Sequence, residues 1–357
     1  MRIKFLHAAD LHLDSPFAAL PPEQAARRRR EQRELLGQIV ELCNGEQCDL
    51  LLLAGDLFDG ATVYPDTLEV LQRQLARCRA LVFISPGNHD PYGPDSPYAR
   101  NDWPKNVHFF TEPSMQGFQL PHLNLELWGA AFTGPSAPSL LDGFRVTGER
   151  PAIVLLHGDA QNAASPYNAI TTAQLEQCGA DYVALGHIHA PSGLLHAGKT
   201  AYAWPGCAMG RGFDETGPRG VYVGTLTDTG CDVHFHPLDS RRYLILTVEA
   251  GTDPRQSILD ALPPETENDI YRIVLTGPSP RLDVVSLEES LAPRFFGLTI
   301  VDETYAPRDL WEARGQDTLR GLFLQALYER RAEDRELYEM AAQLGVAALD
   351  GREVPEL

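Results

Sequence analysis

Positive charge is scarce in this 357-residue chain: 30 lysines and arginines face 49 aspartates and glutamates, a formal net charge of -19 at pH 7. A protein that holds DNA over a wide face does so by neutralising phosphates, so a large nonspecific footprint is excluded unless a partner supplies it. Long apolar runs are missing too. Nothing approaches the roughly 18 consecutive apolar residues of a membrane helix, and Met1-Arg2-Ile3-Lys4-Phe5-Leu6 opens without a signal-peptide stretch. A cytoplasmic protein with no membrane partner is expected. The six cysteines (Cys43, Cys48, Cys78, Cys178, Cys207, Cys231) show no C-x-x-C spacing and no histidines at zinc-finger intervals, which argues for reduced, mostly buried thiols. Internal repeats and low-complexity segments are absent as well. What remains is 43% hydrophobic residues, enough for a sizeable core and a smaller second unit.

The first half alternates apolar runs with helical periodicity. Ile3 to Ala9, Asp49 to Ala54 and Leu81 to Ser85 read as strands, with helices over Glu31 to Cys43 and Thr67 to Arg79 between them. Leu50-Leu51-Leu52-Leu53-Ala54 and Ala152-Ile153-Val154-Leu155-Leu156 are apolar at every position, which suits strands covered on both faces. From Gly220 to Val248 strands follow one another without a helix, read as the second sheet of a sandwich closing near Ser240. Tyr243 to Val248, Arg255 to Ala261, Ile270 to Leu275, Leu287 to Leu291 and Gly297 to Val301 then suggest a small βαβαβ unit. Thr304 to Pro307 reads as a linker. Leu319, Leu322, Phe323, Ala326 and Leu327, then Leu337, Ala341 and Leu344, recur at helical spacing. The expected fold is α/β: a two-sheet sandwich flanked by helices over 1–240, a small α+β unit over 241–306 and a helical tail over 307–357. The tetrad Arg27-Arg28-Arg29-Arg30 opens the first helical pattern. It is either a solvated helix face or a phosphate-facing patch.

Each apolar strand of the first domain runs directly into residues that bind metals, where open α/β sheets place their ligand crevices. Strand one ends in Asp10-Leu11-His12, whose i and i+2 side chains would share a face in extended chain. Strand two ends in Gly55-Asp56-Leu57-Phe58-Asp59, strand three in Gly87-Asn88-His89-Asp90. Later strands end in His157-Gly158-Asp159 and Gly186-His187-Ile188-His189. One such ending is ordinary turn or cap chemistry. Five in order are not. Carboxylate and amide oxygens with imidazoles, and no cysteine, favour Mn, Fe or Zn over calcium or structural zinc.

The series D-x-H, G-D-x-x-D, G-N-H-D, H-G and G-H-x-H resembles the calcineurin-like metallophosphoesterases. The resemblance implies two divalent ions, Mn first among the candidates. Residues matching Asp10, His12 and His189 would hold one ion and those matching Asn88, His157 and His187 the other, with Asp56 bridging. A water between two cations becomes acidic and can attack a phosphodiester in line. His89 matches the proton donor, or transition-state stabiliser, at the scissile phosphate, and Asp90 either orients it or caps a helix N-terminus. Gly60 stands where the protein serine/threonine phosphatases place an arginine after the second Asp, which excludes that branch. Leu6-His7-Ala8-Ala9-Asp10-Leu11-His12-Leu13, Tyr202-Ala203-Trp204-Pro205-Gly206 and Gly217-Pro218-Arg219-Gly220-Val221 are similar to the SbcD-type DNA repair exonucleases. Asn88-His89-Asp90-Pro91-Tyr92-Gly93 and Gly321-Leu322-Phe323-Leu324 resemble the YhaO-like branch. That family implies DNA as substrate, a cap over the active site, and a coiled-coil ATPase of the SbcC/Rad50 kind docked on the C-terminal helices. Asp59 stands where relatives tend to have His, a position expected to help hold substrate. A small-substrate or lipid phosphodiesterase and a non-catalytic scaffold stay open as alternatives, as does a homodimer.

Overall fold

The first strand, β1 (Arg2–Ala8), buries Ile3, Phe5, Leu6 and Ala8. In the computed structural model, which describes residues 2–60, 62–279, 282–305 and 310–351, three further strands continue from it in parallel: β2 (Leu50–Leu53), β3 (Leu81–Ile84) and β4 (Val107–Phe109). Helices α1 (Pro22–Gly45) and α2 (Pro65–Arg77) make the first two crossovers, and the single turn α3 (Pro97–Arg100) lies in the third. The second sheet is built from β5 (Gln116–Leu120), β6 (Leu125–Gly129), β7 (Ala152–His157), β8 (Tyr182–Gly186), β9 (Leu195–Ala197) and β10 (Thr200–Ala203), in the order β5-β6-β7-β8-β10-β9. The short helix α4 (Thr172–Gln177), opened by a Thr171 capping box, leads into β8.

The two-residue period of the strands sorts their apolar residues into layers. Leu50 and Leu52 face the other sheet with Ile3, Phe5 and Phe83, meeting Leu125, Leu127, Ile153, Leu155 and Tyr182. Leu51 and Leu53 point the opposite way, onto Leu36, Ile39, Val40, Leu71 and Leu75 of α1 and α2. The outer face of the second sheet, with Val154, Leu156, Val183 and Leu185, packs on Leu175 of α4. All six cysteines are free, five buried and Cys231 half-buried.

The strands after residue 220 do not form the second sheet. β11 (Gly220–Thr227) pairs antiparallel with β1, and β12 (Gly230–Pro237) pairs with β11, so the first sheet reads β12-β11-β1-β2-β3-β4. The reason is local. Gly224 lies opposite Phe5, whose ring occupies the space a Cβ would take, and the second sheet was already complete by β10.

The chain divides into two compact units: Met1–Ile245 with Glu265–Arg272 and Ala292–Leu298, and Leu246–Pro264 with Ile273–Leu291 and Thr299–Leu357. The elements β13 (Tyr243–Glu249), α5 (Pro254–Ala261), β14 (Ile270–Thr276), α6 (Val284–Leu291) and β15 (Gly297–Asp302) give a three-stranded sheet ordered β13-β14-β15. Residues 306 and 307 of the expected linker lie outside the described residues. Two helices close the second unit, α7 (Leu319–Arg330) and α8 (Arg335–Leu349). They share a small core of Trp311, Leu324 and Ala342, while Leu319, Leu322, Leu337 and Met340 are exposed. Among the described residues no helix is long and apolar enough to cross a membrane.

Candidate metal centre

The carboxyl ends of β1, β2 and β3 from one sheet and β7 and β8 from the other converge at one end of the sandwich. Their loops are zipped together by backbone bonds: the Asp10 N–H donates to Gly55 O, His12 to Asp56 O and Leu13 to Leu57 O, at 3.1, 2.9 and 2.8 Å. The candidate ligands add cross-links of their own. The Asp10 carboxylate accepts the His187 N–H at 3.0 Å, and Asp56 Oδ1 accepts the His89 N–H at 2.9 Å.

Two groups of donor atoms result. In the first, Asp10, His12 and His189 offer atoms within 4.8 Å of one another, and the two Nε2 atoms of His12 and His189 face each other at 3.3 Å. In the second, Asn88 Oδ1 lies 3.0 Å from His157 Nε2 and 3.2 Å from His187 Nδ1. Asp56 Oδ2 lies between the groups, 3.3 Å from His157 Nε2 and 3.8 Å from His12 Nε2. His157 donates its other nitrogen to the Ala54 carbonyl at 2.9 Å, which fixes Nε2 as the free donor.

Burial opposes the charged forms here and lowers His12 and His187, but at His157 and Asp56 the pairing outweighs it. Desolvation would push His157 down, yet the adjacent Asp56 carboxylate raises it to about 9, and the same pairing holds Asp56 far below the usual carboxylate range despite its burial. Two carboxylates, an amide oxygen and four imidazoles facing inward fit divalent cations.

The extended-chain explanation for Asp10 and His12 fails. β1 ends at Ala8, and both residues have left-handed backbone, φ 51° and 43°. Asp56 (φ 50°) and His187 (φ 93°) are left-handed too. Such conformations cost non-glycine residues about 1 to 3 kcal/mol each and gather where function over-determines the backbone. The glycines before the ligands answer to space as well. A Cβ on Gly55 (φ 86°) would overlap the His157 ring, and one on Gly87 would overlap the Asp56 carboxylate.

Asp90 is placed differently from expectation. It is buried, and its carboxylate accepts the Leu57, Phe58 and Gly87 N–H groups and the Tyr98 hydroxyl, at 2.7, 3.1, 2.8 and 2.5 Å. Both oxygens are thus engaged away from the His89 ring. Asp90 staples the Asp56 loop to the Asn88 loop. Burial, then the Asp56 charge, pushes its pKa up to about 7 against the pull of those donors. His89 itself is exposed, its ring edge-on to His12 with centroids 4.8 Å apart and its Nδ1 3.3 Å from Asp59 O. Asp59 faces inward as a partner of His12: its Oδ1 lies 3.0 Å from His12 Nδ1.

Two residues outside every motif complete the site. Glu215 Oε1 lies 2.7 Å from His189 Nδ1, and Arg211 reaches Asp59 at 3.0 Å and Glu215 at 2.7 Å. The arginine tetrad also has a structural member. Arg28 is buried, donating to Glu31 and to Gly210 O, and one helical turn on, Gln32 donates to His12 O at 2.9 Å. The inner face of α1 therefore holds the loops carrying His12 and Arg211, while Arg27 lies exposed beside Glu31.

Residues 3–191, which hold all five motifs, match the calcineurin-like phosphoesterase family model. The chain is 32% identical over 267 residues to the metallophosphoesterase YhaO of Bacillus subtilis, covering 70% of this chain and 63% of that one. It is 27% identical over 232 residues to the DNA double-strand break repair protein Mre11 of Aeropyrum pernix, covering 57% and 53%. To the SbcD component of the SbcCD nuclease of Rhodobacter capsulatus it is 32% identical over 94 residues, covering 25% and 22%. The chain thus spans less than two thirds of the length of these relatives. With the family model covering more than half of the chain and the donor groups gathered where its motifs end, the protein belongs to the calcineurin-like phosphoesterases, hydrolases that bind divalent metals.

Proposed function

We propose that this chain is a dinuclear-metal DNA phosphodiesterase, an exonuclease or endonuclease of DNA repair working with Mn. The observation that carries the reading is Asp56 standing between two donor groups, Asp10, His12 and His189 on one side and Asn88, His157 and His187 on the other. When bound there, two divalent ions supply Lewis acidity for a phosphate and its attacking water. The remaining chemistry belongs to the chain. His89, exposed with Nδ1 against the Asp59 carbonyl, gives a proton from Nε2 of its imidazolium form to the leaving oxygen and is left as neutral imidazole. Asp59 and Asp90 act through others, Asp59 by orienting His12 and Asp90 by fixing the loops.

DNA is favoured as substrate by the relatives named for double-strand break repair and for the SbcCD nuclease. The Mn-loaded chain should degrade end-labelled DNA and also cleave a chromogenic phosphodiester. Cleavage of the small ester alone, at low and at moderate salt, would move the substrate to a smaller phosphodiester.

Residues 241–306 serve in this reading as the substrate-shaping unit and 307–357 as the dock for a coiled-coil ATPase. The support for the dock is apolar: Leu319 and Leu322 of α7 and Leu337 and Met340 of α8 are exposed, a cost in water that a partner would recover. Truncation from Asp317 onward would bare Trp311, which packs on Leu324 and Ala342, so the milder test is Leu322→Glu with Leu337→Glu. The double variant should hydrolyse the chromogenic ester at the parent rate and lose about tenfold or more in ATPase affinity. Unchanged affinity in a folded variant would make the tail an ordinary part of its own unit.

A further inference from the structure

We propose that Glu215 and Asp59, joined by Arg211, are positioning residues that make the two cation sites unequal, so that the site of Asp10, His12 and His189 binds its ion more tightly and fills first. The inference rests on the dinuclear reading above.

Both histidines of that site turn their outer nitrogen to a carboxylate. His189 Nδ1 lies 2.7 Å from Glu215 Oε1, with Arg211 Nη2 also 3.2 Å away, and His12 Nδ1 lies 3.0 Å from Asp59 Oδ1, a charge contact without the alignment of a hydrogen bond. Each ring has Nε2 inward, and a carboxylate beside the outer nitrogen favours the N–H there and makes the opposite nitrogen a stronger donor to a cation. The carboxylates are themselves held. Arg211 spans them, with Nη1 3.0 Å from Asp59 and Nη2 2.7 Å from Glu215, and its backbone N–H donates to Glu215 Oε2 at 2.7 Å. The Glu215 side chain is 4% exposed and that of Asp59 24%, so the clasp is shielded on its inner side. Its three charges sum to one negative charge behind the first site.

Among the described residues no carboxylate lies within hydrogen-bond distance of the outer nitrogen of His157 in the second site. His157 gives its outer N–H to the neutral Ala54 carbonyl, and its nearest outer carboxylate is Asp10 at 3.9 Å, which already faces the first site. The first-site ligand Asp10 is an anion, whereas Asn88 of the second is neutral. Charge behind the rings and charge among the ligands act in the same direction.

The test is calorimetric titration of the chelator-stripped full chain with Mn, read as affinity per step rather than as activity. The parent should show two steps. Glu215→Gln should weaken the tighter step about 10- to 100-fold and leave the weaker one in place, and Asp59→Asn should do the same to a smaller degree. Asn88→Ala should act on the weaker step alone. Thermal unfolding of the stripped variants identifies any that fail to fold, and Asp59, being more exposed, provides the second route if Glu215→Gln does. A folded pair of variants with an unchanged tighter step, or with both steps weakened equally, would overturn the proposal. A single step in the parent would overturn the dinuclear reading itself.

Discussion

Asp56→Asn is expected to lower the occupancy of both metal sites together and to cost on the order of a thousandfold in hydrolysis, since metal charge at a phosphate contributes several kcal/mol to its transition state. Asp10→Asn should chiefly empty one site. The distinction is sharp because both carboxylates come near His157, and distance alone would let either be the bridge. Asp10 Oδ1 lies 3.9 Å from Nδ1, the nitrogen already committed to Ala54 O, whereas Asp56 Oδ2 lies 3.3 Å from Nε2, the nitrogen that faces Asn88. Asp56 also reaches toward His12 Nε2, at 3.8 Å. It alone faces donor nitrogens of both groups. Metal content per chain, measured for the two variants after identical dialysis, decides the matter, and equal losses would remove Asp56 from the bridging role.

How much of this was legible in the sequence follows from what each residue needs in order to be seen. Asp10, Asp56, Asn88 and His187 were visible as candidates because each follows a run of buried strand residues within a few positions, and His157 because it ends one, and polar residues at such positions carry local information. The paired helices of the tail and the strands and helices of the 243–302 segment were visible through periodicity. Arg211 and Glu215 were not. They lie in a loop with no strand pattern beside it, and their importance comes from contacts with Asp59 and His189, 152 and 26 positions away in sequence. The faint signal was a charged i, i+4 pair among glycines, Gly210-Arg211-Gly212 to Glu215-Thr216-Gly217. Arg28 misled for a related reason. A run of four arginines reads as solvent-facing, but the helical period carries Arg28 onto the face of Ala25, Gln32 and Leu35, where its two terminal nitrogens donate to Glu31 and Gly210 O. The pairing of β11 with β1 was equally silent, since 219 residues separate Phe5 from its partner Gly224 and either sheet offered an edge.

His89→Gln should retain both metals and nearly full DNA binding while its turnover of DNA falls about 100- to 10,000-fold, the range that general acid help supplies. Geometry leaves a competing role in view. His89 offers a nitrogen within 4.8 Å of donor atoms of His12 and Asp56, so as a ligand its loss would release metal. Two features favour the proton-donor role. Its ring is exposed where His12 and His157 are fully buried, and its Nδ1 faces the Asp59 carbonyl, which leaves Nε2 as the nitrogen available to a substrate. Its backbone N–H meanwhile holds Asp56 Oδ1 at 2.9 Å, a contact that glutamine preserves. The substrate then separates the roles. A DNA sugar oxygen is a poor leaving group and needs its proton, whereas p-nitrophenolate departs with little help, so the deficit should shrink markedly on a p-nitrophenyl phosphodiester at saturating Mn. Equal deficits on both substrates, or metal loss measured on the same preparations, would make His89 a ligand or a structural residue instead.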